Sequence, residues 1–330
     1  MLNTTFELLP KIWLTDSTAA SARGLSPAFP PPVLEGLRKR NASLDTFFYD
    51  VTKINDAEQA LLLPYKAEEG AIVVVPPSGM GEITIHHSAA EFKDDAPGQL
   101  DTLVVAGVGS SALGTAALAR NVADALGKTV VGVVSGYGLA DLPFEAMGGY
   151  FMFGGLSRLR HKFHQLQHLA QASGPSAPSA AASLDSTAAS SEASGKNIIA
   201  TVQLSPDTHA VKALLGDTRF RFRLLVGHSK GNYVIAEALE GMRISAPARF
   251  KAIAPKLHIV NISARSELPD GCGNVINVMG AIDNFGLLNS VPSLEPFDVT
   301  PFGWHHTNTE LALSLNVTEI IRGLIQAQRI

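Results

Sequence analysis

Ser229 stands in Gly227-His228-Ser229-Lys230-Gly231, directly after the apolar run Phe222–Val226 and directly before the helix-like Asn232–Leu239. A serine between a strand and a helix can serve as a nucleophile when a sharp turn lifts its hydroxyl clear of the sheet, and flanking glycines let strand and helix close up without a Cβ clash. The same residues also fit a plain strand-to-helix turn with Ser229 as the helix cap. A nucleophilic serine needs a general base, an acid to orient that base, and N–H donors for the developing oxyanion. Asp283 fits the acid, because it follows the strand-like Val275–Met279 through Gly280-Ala281-Ile282; Asp270 and Asp298 follow a strand less closely. His305 and His306 are the candidate bases, although the two would also fit a surface pair. They precede the helical run Leu311–Leu324, which Thr307 and Glu310 would open as a capping box.

These side chains meet only if the elements between them form a sheet whose carboxyl ends face one place. The sequence supplies such elements. Ala71–Val75, Asp101–Ala106, Lys128–Val134, Phe222–Val226, Leu257–Ile262 and Asn274–Met279 read as strands, and Glu82–His86 alternates as a half-exposed antiparallel strand does. A helix over Thr115–Leu126 separates two of them. Strands alternating with helices predict an α/β fold: a mostly parallel sheet with helices on both faces. Residues 1–68 read as an N-terminal extension with short helices at Val33–Arg40 and Asp56–Leu63, and nothing in it suggests chemistry. The main domain is expected over 69–330, with an insertion at 143–197. That insertion carries Phe151-Met152-Phe153, which reads as buried core, and ends in a Ser/Ala/Pro/Gly-rich loop at 173–195 whose composition cannot offset its ordering entropy. His161, His164 and His168 lie just before this loop. No carboxylate or cysteine joins them, so a solvated helix face is expected there, and no metal.

The order Ser229, Asp283, His305/His306 and the strand–helix rhythm from about residue 70 onward resemble the α/β-hydrolase fold. The resemblance implies a serine hydrolase of carboxylic esters, similar to carboxylesterases and lipases, working through an acyl-enzyme. Ser229 would be the nucleophile and Asp283 the orienting acid. Gly303-x-x-His306 resembles the family's Gly-x-Gly-His ending, which favours His306 as the base, with His305 as second choice. The backbone N–H groups of Lys230 and Val108 would form the oxyanion hole, because Ala106-Gly107-Val108-Gly109 resembles the family's His-Gly-x-Gly loop. The insertion 143–197 would fold partly over the site as a lid. Ala106 in place of the usual histidine, and Lys230 and Asn232 beside the serine, depart from the pattern. A cation at Lys230 would favour an anionic substrate or reach solvent.

Two other function classes fit parts of the chain. Gly107-Val108-Gly109-Ser110-Ser111-Ala112 matches a dinucleotide fingerprint, but the next strand ends in Ser135-Gly136 without the carboxylate that an NAD(P)-dependent oxidoreductase needs. A hydrolase-like protein without activity, acting as a binding module, would use the extension and the Ser/Ala-rich loop as docking segments. Composition narrows the partners. A net charge of −4 without a Lys/Arg-rich run argues against nucleic acid. A single cysteine, Cys272, excludes an intramolecular disulfide and fits a reducing compartment. Neither a signal-peptide pattern nor an apolar run of about 20 residues occurs, so no transmembrane segment and a cytoplasmic location are expected. The expected partner is a small or lipid-like acyl ester, with no metal or organic cofactor.

Overall fold

β-branched and apolar runs become the strands of one sheet: β1 Ile72–Val75, β2 Thr84–His86, β3 Thr102–Val105, β4 Val130–Val133, β5 Leu224–His228, β6 His258–Ile262 and β7 Asn274–Val278. The computed structural model describes residues 44–63, 68–96, 100–107, 110–135 and 205–330. The expected helix at Val33–Arg40, the histidines at 161, 164 and 168, Phe151–Phe153 and the whole of the insertion 143–197 lie outside them. The seven strands are ordered β2-β1-β4-β3-β5-β6-β7. β1 runs antiparallel to β2 and β4, and every other pairing is parallel. The chain is therefore an α/β protein with a mostly parallel sheet. β1, β3, β4 and β5 are buried along their whole length, which is why they read as unbroken apolar runs. At the edge, Thr84 of β2 is exposed and His86 buried.

The helices are α1 Asp56–Leu62, α2 Ala89–Asp95, α3 Ala112–Leu126, α4 Pro206–Gly216, α5 Lys230–Ser245, α6 Pro247–Ile253, α7 Asn284–Asn289 and α8 Val317–Gln326. They divide between the two faces because successive strand residues point opposite ways. Val73, Val75, Val104 and Val226 pack with Ala116 and Ala119 of α3 and Ile321 of α8. Ile72, Val74, Leu103 and Leu225 pack with Leu214 of α4 and Val234 and Leu239 of α5.

Two sequence expectations change. The end of the supposed extension belongs to the same packed body: Tyr49, Ile54 and Leu62 sit in the core cluster with β1 and β3. Arg120 of α3 is buried and paired with Glu58 of α1, which also closes a capping box with Asn55. The helix expected from Leu311 begins instead at Val317, with Asn316 as its cap. Thr307 and Thr309 are not free to start a helix, because each bonds back to the segment 44–50. The Thr307 N–H and hydroxyl donate to the Phe48 carbonyl, and the Thr309 hydroxyl donates to Asp50.

Candidate functional site

Ser229 takes φ 53° and ψ −118°, a left-handed conformation that a residue with a side chain adopts only under constraint. Three contacts supply the constraint. Its N–H donates to the Ile262 carbonyl at 2.9 Å. Asn232, one turn into α5, donates its side-chain amide to the carbonyls of Ile262 and Ala264, tying the helix start to the end of β6. Gly231 lies so close to the Val105 and Ala106 carbonyls that any Cβ would collide with backbone.

The turn aims the Ser229 hydroxyl at His305, whose Nε2 is 3.1 Å from Oγ. The other ring nitrogen, Nδ1, is 3.0 Å from each carboxylate oxygen of Asp283. A carboxylate only accepts, so Nδ1 carries the proton and Nε2 receives the serine hydroxyl. Burial alone would raise the Asp283 carboxyl. Hydrogen bonding and charge attraction from His305, with the Gly286 N–H, bring it below the usual carboxylate range instead. All three side chains are buried. Phe285 sets its ring edge-on to His305 at 4.6 Å between centroids, shielding the imidazole from water. The arrangement can deprotonate Ser229 as its oxygen attacks and hold the resulting imidazolium beside a carboxylate.

His306, the base favoured from the Gly-x-x-His pattern, lies elsewhere. Its Nε2 donates to the Ala312 carbonyl at 3.0 Å, and its ring packs against Phe47 and Trp304. The single residue of difference has a physical reason. The Thr307 N–H is fixed to the Phe48 carbonyl and the Leu315 N–H to the His306 carbonyl, and that register turns His305 toward the serine. Asp270 and Asp298 are also elsewhere; Asp298 accepts from the Asn277 N–H and pairs with Arg329.

Lys230 follows Ser229 as the first residue of α5, where helical N–H groups lack intrahelical acceptors. Its ammonium is 3.4 Å from the Asp207 carboxylate, and both side chains are buried. The cation is thus matched inside the protein and neither reaches solvent nor needs an anionic substrate. Val108 lies outside the described residues, but its neighbour Gly107 is against the serine turn: a Cβ there would be 3.4 Å from the Ser229 Cβ.

Sequence reasoning passed over Tyr49, His228 and Asp207. Tyr49 and His228 bond to each other at 3.0 Å behind the serine, and Asp207 also accepts from Ser205 and Ser135. The one signal was a histidine within the serine pentapeptide. Among the described residues no group of His, Cys, Asp and Glu side chains is placed to hold a metal ion. No family model, curated protein or solved structure matches the chain, so the chemistry of this site rests on its geometry.

Proposed function

We propose that the protein is a serine hydrolase of carboxylic esters, similar in design to the α/β-hydrolases. The observation that carries this reading is the continuous row Ser229 Oγ, His305 and Asp283, with 3.1 Å and 3.0 Å separations, built on a strained turn. In the proposed reaction Ser229 Oγ attacks the ester carbonyl carbon while its proton passes to His305 Nε2. Asp283 holds the imidazolium. The tetrahedral oxyanion is stabilised by the Lys230 N–H at the amino end of α5, with Val108 as the second donor, each worth about 3 kcal/mol. The C–O bond to the alcohol then breaks, and the departing oxygen takes the proton from His305. Water repeats the sequence on the acyl-enzyme, releasing the acid and restoring Ser229.

Exposed apolar side chains lie close in sequence to the acid and the base, Ile282, Leu287 and Leu288 near Asp283 and Phe302 near His305, and an apolar acyl group is proposed on that ground. The dinucleotide alternative has less support. Among the described residues the carboxylate bonded at the end of β4 is Asp207, and it is paired with Lys230.

The reading is tested by hydrolysis of p-nitrophenyl acetate, butyrate and octanoate. Wild type should turn over at least one ester, and Ser229→Ala should lose about 10⁴-fold or more in kcat. Equal rates in the two proteins would mean that another group is the nucleophile. Inactivity in both would favour a binding module built on the same frame.

A further inference from the structure

We infer that Tyr49 and His228 are positioning residues that lock the loop after β3 and the loop carrying His305 into register around Ser229. The inference rests on the hydrolase reading above, and it assigns a role to a segment whose sequence suggested no chemistry. Three hydrogen bonds carry it. The Gly107 N–H donates to the Tyr49 hydroxyl at 2.7 Å. That hydroxyl is 3.0 Å from His228 Nδ1. His228 Nε2 is 2.9 Å from the backbone carbonyl of His305.

The proton positions in this chain are fixed by its two ends. A backbone N–H only donates and a carbonyl only accepts, so His228 Nε2 must carry the ring proton toward His305. Nδ1 is then bare and accepts from the Tyr49 hydroxyl, which in turn accepts from Gly107. Every donor has one acceptor, and no other arrangement satisfies both ends with a neutral imidazole. Burial, reinforced by the charge of neighbouring His305, pushes His228 down to about 3, and burial also keeps the Tyr49 phenol protonated. Both side chains are nearly inaccessible to solvent, so water does not compete for these bonds.

The geometry converges on the reacting groups. A Cβ built on Gly107 would lie 2.9 Å from the Tyr49 hydroxyl, 3.3 Å from His228 Nδ1 and 3.4 Å from the Ser229 Cβ. Tyr49, the residue before the nucleophile, and the residue before the proposed donor Val108 therefore meet at one point. His228 reaches from that point to the backbone of the base itself. Neither side chain is within hydrogen-bond reach of Ser229 Oγ, so their effect on chemistry is through placement. Small displacements suffice, since misplacing reacting groups by about 1 Å costs roughly 100-fold in rate.

The test compares kcat and KM for p-nitrophenyl butyrate in wild type, Tyr49→Phe, His228→Ala and His228→Gln, with Ser229→Ala as the baseline and thermal unfolding recorded for each. Tyr49→Phe and His228→Ala should lower kcat by about 10- to 100-fold with KM within about twofold, at temperatures where the proteins remain folded. His228→Gln keeps an N–H at the position of Nε2 and should recover part of the kcat lost in His228→Ala. If Tyr49→Phe does not fold, the His228→Gln and His228→Ala pair carries the comparison. Full kcat in the folded variants, losses confined to KM, or no recovery by glutamine would overturn the positioning role. Wild type that turns over no better than Ser229→Ala would overturn the hydrolase reading, and this inference with it.

Discussion

At the scale of single residues, the side chains around Ser229 differ in how their burial is compensated. Lys230 and Asp207 are 5% and 0% exposed and face each other as opposite charges, while Asp207 also accepts from Ser205 and Ser135. Replacing one partner leaves a buried charge without its counter-ion. Lys230→Met should therefore lower unfolding free energy by about 3–5 kcal/mol, while Lys230→Met with Asp207→Leu should recover most of it. Urea unfolding of the two variants checks this; equal stability in both would mean the pair contributes little. Ser229 and Asp283 were legible as residue types placed after strands. His305 was not separable from His306, because neighbours in a loop face different ways only once the loop's register is fixed. That register comes from backbone bonds to Phe48 and within the loop, which leave no local pattern.

At the scale of elements, the segment 44–50 fastens the loop that carries the histidines. Asp50 is buried and accepts from the Thr309 N–H and hydroxyl and from the Asn121 side chain, 259 and 71 residues away. Asp50→Ala strands these donors and should cost about 3 kcal/mol of stability. On the proposed hydrolase reading it should also lower kcat for p-nitrophenyl esters, because the His305 loop loses an anchor. Chemical denaturation alongside turnover checks both, and a stable, fully active variant would contradict the anchoring role. The strands were readable because burial on two faces writes unbroken apolar runs. The helix near the carboxyl end was misplaced for the opposite reason: Thr307 and Glu310 have capping-box spacing, but tertiary partners claim the threonines. The role of 44–50 was invisible because its partners, backbone N–H groups and polar side chains alike, are distant in sequence.

At the scale of the whole molecule, the sheet brings Ser229 from the end of β5, Asp283 from beyond β7 and His305 from the following loop to one place. No helix among the described residues is long and apolar enough to cross a membrane. Asp45 couples the fold to pH. Burial pushes its carboxyl up to about 7, against the lowering effect of hydrogen bonds from Ser111. An unfolded aspartate titrates near ~3.9, so the folded protein holds this proton more tightly. The contribution is complete below about pH 4 and is lost as pH rises through about 7. Asp45→Asn should remove that part of the slope, so the stability of wild type relative to the variant should fall between pH 5 and pH 8. Parallel unfolding curves across that range would contradict it.

The most direct measurement is the rate at which a fluorophosphonate labels Ser229 in wild type, His305→Ala and His306→Ala, with the modified peptide identified by mass spectrometry. Labelling requires an activated serine and does not depend on guessing the natural ester. Wild type and His306→Ala should label at similar rates, and His305→Ala should label slower by about 10³-fold or more. Undiminished labelling in His305→Ala, or its loss in His306→Ala alone, would contradict the assignment of His305 as the base that activates Ser229.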